Sequence, residues 1–252
     1  MQDKKTSVLY KIIRWIVSVV YPKIRIVGEE NIPKEASIAV GNHSQVHGPI
    51  AGELYFPGRH YIWTIGQMMT LKEVPAYAFQ DFWSAKPKWI RWFFKIASYV
   101  IAPVAVFIFG NAHCIPVYHD SRILSTFRET VQKLSEGNHI VIYPECYDEH
   151  NQIVHEFQEG FVDVARVYYK KTGKKVSFVP MYLAPNLRTI YFGKPTQFDP
   201  DRPIEEERVR VCNYLMDSIT DIAVHLPRHR VVPYPNIPKK EHGYNIPEEA
   251  TE

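Results

Sequence analysis

Short apolar runs alternate along this chain with stretches whose hydrophobic residues recur every three or four positions. Residues 37–40 (SIAV), 61–65 (YIWTI), 115–118 (IPVY), 140–143 (IVIY) and 177–182 (SFVPMY) are brief and β-rich, bounded by polar or turn-forming residues, and predict strands. Between them, Ile123, Leu124, Phe127, Val131 and Leu134 share one helical face that Asp120 or Ser121 can cap and Gly137 can end. Residues 156–171 repeat that period through Phe157, Phe161, Val164, Ala165 and Tyr168. A third helix is predicted over 203–226, opened by Pro203 and the acidic run Glu205, Glu206 and Glu207, which suits the positive end of a helix dipole. Strands and helices in alternation predict an α/β fold with a central, largely parallel sheet flanked by helices.

The chain ends and one internal stretch read differently. Residues 8–21 carry Ile12, Ile13, Trp15, Ile16, Val17, Val19 and Val20 among basic residues, too short a run to span a bilayer. They suit an amphipathic helix lying in a membrane interface, over 1–22, or packed on the domain. Residues 86–110 open with Lys86, Lys88, Arg91 and Lys95 interleaved with Trp89, Trp92, Phe93 and Phe94, a mixture suited to lipid headgroup level. The uncharged part, 96–109, falls short of the roughly 20 residues needed to cross hydrocarbon. It is expected to form a membrane-associated insertion broken at Pro103, the alternative being a core helix followed by a strand. The main domain then runs from 23 to 230, and 231–252, proline-rich and without an apolar period, is expected to be a flexible tail.

With 252 residues, 46% hydrophobic and 23% charged, the chain has the composition of one globular domain with attachments. A net charge of +3 is too mild to indicate nucleic acid, though it allows weak attraction to anionic lipid. Cys114, Cys146 and Cys212 are few, odd in number and without CxxC spacing, which argues against zinc or a redox pair and fits a reducing, cytoplasmic setting. His43 and His47 have the i, i+4 spacing of a zinc helix but lack the intervening Glu, so no metal is expected.

Candidate chemistry concentrates at residues 42–49 (NHSQVHGP). A strand ends just before His43, and Pro49 suits the first turn of the helix that follows. In open α/β sheets, ligands bind outside the carboxyl ends of strands. His43 therefore stands where a neutral imidazole can act as a general base. No Gly-x-Ser-x-Gly nucleophile elbow is present to support a serine hydrolase.

Four segments, in order, give the chain a family likeness: Asn42 and His43 with Gly48 beyond; 114–119 (CIPVYH); 143–148 (YPECYD); and 179–182 (VPMY). In this order the chain resembles the glycerolipid acyltransferases, the lysophosphatidate-acyltransferase-like enzymes, over roughly 23–192. Their first motif is Asn-His, four residues, then Asp, and Gly48 stands at the Asp position. Their second ends in Arg, where this chain has His119. Their third, Phe-Pro-Glu-Gly-Thr-Arg, survives as Pro144 and Glu145.

The resemblance implies a membrane-associated O-acyltransferase of phospholipid biosynthesis, at the cytoplasmic face of the cell membrane. The donor would be acyl-CoA or acyl-carrier protein and the acceptor a lysophospholipid or other glycerolipid, with no further cofactor. His43 would be the base, supported by Asn42. Glu145 would replace the missing acid, Glu53 or a backbone carbonyl being the other options. His119 or Arg122 would stand near the acceptor headgroup, with Gly48 and Pro144 lining the site. The alternative is a catalytically degenerate relative that binds lipid or acyl-carrier protein; a thioester hydrolase is a third, more remote reading.

Overall fold

The computed structural model describes residues 7–84 and 86–246. In chain order the elements are α1 (Val8–Val20), β1 (Arg25–Val27), β2 (Ser37–Gly41), α2 (His47–Tyr55), β3 (His60–Ile65), α3 (Val74–Ala78), α4 (Arg91–Asn111), β4 (Cys114–Val117) and α5 (Ile123–Ser135). There follow β5 (His139–Ile142), β6 (Glu145–Glu149), β7 (His155–Phe157), α6 (Asp163–Thr172), β8 (Ser177–Ala184), β9 (Thr189–Phe192), β10 (Thr196–Gln197) and α7 (Ile204–Val224). The chain divides into two compact units, a larger one from Pro22–Tyr61 and Thr130–Glu252 and a smaller one from Met1–Tyr21 and Ile62–Glu129. The expectation of one domain over 23–230 rested on local periodicity, which carries no record of contacts between segments far apart in sequence.

The fold is the predicted α/β one, a mixed, mostly parallel sheet flanked by helices. In the larger unit the strand order is β1-β9-β8-β2-β5, with β10 also on β8. β2 lies parallel to both β5 and β8, with Val40 opposite Ile142 on one side and Pro180 on the other. Every residue of β2 is buried, which is why it reads as an unbroken apolar run instead of an alternation. Pro180 would break an ordinary central strand. Here it falls where β8 changes antiparallel partner from β10, at Phe178, to β9, at Met181. The core is built from Ile38, Val40, Ile140, Phe178, Leu215 and Ile219, all fully buried.

In the smaller unit, β3 and β4 run parallel, from Ile62 beside Cys114 to Ile65 beside Val117. α4 buries a face of small residues, Ser98, Ala102 and Ala105, and its Ala102 and Ala105 join Met68, Val74 and Ala78 in one cluster. The expected break at Pro103 does not occur, because losing one N–H donor leaves the rest of a 21-residue helical ladder intact. With the turn before it, Lys88–Asn111 is 24 residues long. Among the described residues it is the one helix long and apolar enough to cross a membrane. Its outer side exposes Trp92, Phe93, Ile96, Tyr99 and Val100, and α1 likewise exposes Leu9, Ile12, Trp15, Ile16 and Val19.

Two further expectations are corrected. Residues 156–171 do not form one helix: 155–157 are the strand β7, paired with β6, and the helix starts only at Asp163. Cross-strand pairing there outweighs the helical period. Nor are residues 231–246 a flexible tail. Val231 donates to the Gly243 carbonyl and Asn245 to that of His229, closing a loop. The buried Asn245 side chain accepts from the His229 N–H at 2.8 Å and donates to the Ala223 carbonyl at 2.7 Å. The Arg228 guanidinium lies 3.7 Å from the Tyr244 ring centroid. A loop held by its own side chains and by caps onto α7 needs no apolar period to be ordered. Residues 247–252 of the expected tail lie outside the described residues.

Candidate active site

Because β2 and β5 are parallel neighbours in register, the residues following them emerge at the same edge of the sheet. After β2 come Asn42 and His43; after β5 come Tyr143, Pro144 and Glu145. Asn42 is buried and acts as a clamp. Its Oδ1 accepts from the Leu183 N–H at 2.7 Å, and its Nδ2 donates to the Leu183 carbonyl at 3.0 Å and to Ser44 Oγ at 2.8 Å. That clamp holds a turn in which Ser44 and Gln45 both adopt left-handed backbone, with φ of 48° and 55°. Such angles are uncommon for residues other than glycine and persist only where the surroundings enforce them. The turn closes when the Gly48 N–H donates to the His43 carbonyl at 2.9 Å and the His47 N–H to the Ser44 carbonyl at 3.0 Å.

Gly48 is required by this turn. A Cβ at position 48 would lie 2.4 Å from the His43 carbonyl oxygen and 3.0 Å from Tyr143 Cε1. The Tyr143 hydroxyl donates to the Gly48 carbonyl at 2.7 Å, fixing the same point from β5. A side chain at position 48 would thus run into the His43 backbone and the Tyr143 ring.

The His43 ring is partly buried, and its Nδ1 has no hydrogen-bond partner of good geometry. Two tyrosines meet it edge to face: Tyr143 with ring centroids 5.6 Å apart at 72°, and Tyr234 at 5.6 Å and 84°. Burial lowers the His43 pKa from its ordinary value, opposed only in part by the Gln45 main chain, so the ring is neutral at neutral pH. That is the protonation state a general base needs.

Glu145 reaches His43, though at its main chain and not at its ring. One carboxylate oxygen accepts from the His43 N–H at 2.5 Å and the other from the His155 N–H at 2.9 Å. The carboxylate thereby ties the His43 turn to β7, and the expected orienting acid is instead a buried brace. Burial drives its pKa up to about 7, against those two N–H groups. Because the folded pKa lies above the unfolded one, the folded protein holds the proton more tightly. Stability supplied by Glu145 is complete at low pH and is lost as pH rises from 4.5 through about 7. The neutral Glu145→Gln variant lacks this loss. Its stability relative to wild type is expected to improve between pH 4.5 and 8 by on the order of 3 kcal/mol. Denaturant unfolding at both pH values checks this; parallel pH curves would refute it.

Pro144 is buried, and its carbonyl accepts from the Gln158 N–H at 2.9 Å, so it shapes the entry to β6. The loop 231–246, absent from the sequence-based site, packs against the same turn. Gln45 Nε2 donates to the Pro235 carbonyl at 3.0 Å, and burial, followed by the nearby charges of Lys239 and His242, lowers the pKa of His47. Tyr143 stood inside a recognised motif without an assigned task, and Tyr234 lies in a proline-rich segment that gave no signal beyond its aromatic ring. The structure therefore brings together Asn42, His43, Gly48, Pro144 and Glu145. His119 and Arg122 belong to the smaller unit, where His119 is exposed after β4. Arg122 pairs with Asp120 at 2.8 Å and Glu73 at 3.0 Å and lies 3.9 Å from the Tyr118 ring centroid, so its fork is already occupied by carboxylates.

The class these features define is an α/β protein with a neutral histidine braced at the carboxyl edge of its sheet. No protein-family model and no curated protein matches the sequence. Among solved structures, the chain is similar to the 1-acyl-sn-glycerophosphate (LPA) acyltransferase PlsC from Thermotoga maritima. The TM-score is 0.51 and the identity 17%, over 87% of this chain and 81% of that one. The likeness extends over most of both chains and establishes an acyltransferase-like fold.

Proposed function

We propose that the protein is a membrane-associated O-acyltransferase that moves a fatty acyl group from acyl-CoA or acyl-carrier protein to the hydroxyl of a lysolipid or other glycerolipid. The observation that carries this reading is His43: a neutral, partly accessible imidazole on a rigid turn at the ligand-binding edge of an acyltransferase-like fold. His43 takes the acceptor hydroxyl proton as its oxygen attacks the thioester carbonyl. The tetrahedral intermediate then expels the thiolate, and the imidazolium returns the proton to that sulfur. Exposed tryptophans and aliphatic residues on α1 and α4 support membrane association, at the cytoplasmic face where acyl thioesters are found.

The sealed position at Gly48 supports a second reading, a relative that binds lipid or acyl-carrier protein without turnover, since among the described residues no carboxylate meets the His43 ring. One assay separates the two: incubating the full chain with radiolabelled acyl-CoA or acyl-carrier protein and a panel of lysolipids. Acceptor-dependent transfer of label to lipid is expected. Fatty acid released equally with and without acceptor would mean hydrolysis, and no product from any pair would favour the binding reading.

A further inference from the structure

We infer that Tyr234, carried by the loop 231–246, is a positioning residue for His43, its ring holding the imidazole in place of the absent carboxylate. The inference rests on the acyltransferase reading for its kinetic consequence, but not for its structural one. Two tyrosine rings meet the imidazole at steep angles, 72° from Tyr143 and 84° from Tyr234, so rotation of the ring about its own bond is opposed from two sides. Tyr143 is anchored through its hydroxyl to the Gly48 carbonyl. Tyr234 is held through its backbone neighbours, because the Pro235 and Ile237 carbonyls accept from Gln45 Nε2. Its ring also meets Tyr147 on β6 at 5.4 Å and His155 on β7 at 6.0 Å.

The loop thus lays an aromatic cover over the edge where His43, Glu145 and His155 come together. Among the described residues, Tyr143 and Tyr234 meet the His43 ring and Glu145 its main chain, His155 lies beyond Tyr234, and His47, four residues along the chain, feels Lys239 and His242. Among the described residues no carboxylate contact with the ring is seen: Glu145 spends both oxygens on backbone N–H groups. Ring contacts, together with the Gln45 main chain, therefore fix the imidazole, and Tyr234 supplies the ring contact carried by the loop 231–246.

The test compares full-length wild type, Tyr234→Phe and Tyr234→Leu, each with isotope-labelled histidine, by NMR titration and by acyl-transfer kinetics. With Leu the His43 titration is expected to move up toward the ordinary histidine value as water reaches the ring, and kcat to fall about 10- to 100-fold with a smaller change in KM. Phe is expected to keep both near wild type, since it retains the ring. His139, buried at the start of β5 with its Nδ1 2.9 Å from Ser37 Oγ, reports folding: its titration is expected to stay put in all three proteins. An unchanged His43 titration in Tyr234→Leu would overturn the inference, as would equal losses in Phe and Leu. A shifted His43 titration with no transfer by any protein, wild type included, would support the positioning role and reject the acyltransferase reading.

Discussion

Replacing His43 with Ala is expected to lower acyl transfer by about 10²- to 10⁴-fold, the range contributed by one well-placed general base. That corresponds to about 3 to 5 kcal/mol of barrier. Stability should change far less, because the ring is partly accessible and its Nδ1 makes no well-formed hydrogen bond. The losses are two edge-to-face contacts, worth about 1 kcal/mol each. The wild-type pH profile supplies an independent check. The base works only when neutral, so activity must fall as pH drops through the His43 pKa. Burial lowers that value, which puts the acidic limb of kcat/KM below pH 6.5. A limb near 7 would implicate Glu145 instead, whose carboxyl titrates at about that value. Full activity in the alanine variant would remove His43 from the chemistry.

Much of this site could be read along the chain because parallel strands deliver their carboxyl ends to one edge. β2 and β5 are continuous apolar runs, and the residues just after each meet as the topology requires: Asn42 and His43 with Tyr143 and Glu145. The helix over Ile123–Ser135 and the acidic opening of α7 were equally plain, since both depend on local period and charge. What the sequence concealed depends on distant partners. Nothing local distinguishes a Glu145 that binds the His43 main chain from one that binds its ring. The β7 segment carries a helical period that pairing with β6 overrides. The loop 231–246 has no period at all, and its order comes from Asn245 gripping the end of α7. Tyr234 was hidden for that reason, since its segment resembles a linker in composition.

The Gly48→Asp substitution, which by motif alone would complete an acyltransferase signature, is expected to impair the protein. In a Ser-His-Asp triad, removing the orienting carboxylate's charge costs about 10⁴-fold in turnover, so restoring such a group would ordinarily promise a gain. The turn forbids it here. The new Cβ would stand 2.4 Å from the His43 carbonyl oxygen and 3.0 Å from its carbon, and this neighbour is backbone, with no flexible end to swing aside. Relief requires opening the Gly48 N–H to His43 carbonyl bond and displacing Tyr143, whose hydroxyl holds the Gly48 carbonyl. Overpacking of this kind costs about 1–3 kcal/mol, and it falls on the residues that position His43. Gly48→Ala carries the same offending atom without the carboxylate, so both variants are expected to show similar drops in denaturant midpoint and in any transfer activity. A gain in transfer by the Asp variant alone would show that the turn yields to the acid. Matching losses would show that the His43 turn is shaped around a glycine, with the work of holding the imidazole passed to Tyr143, Tyr234 and the Gln45 main chain.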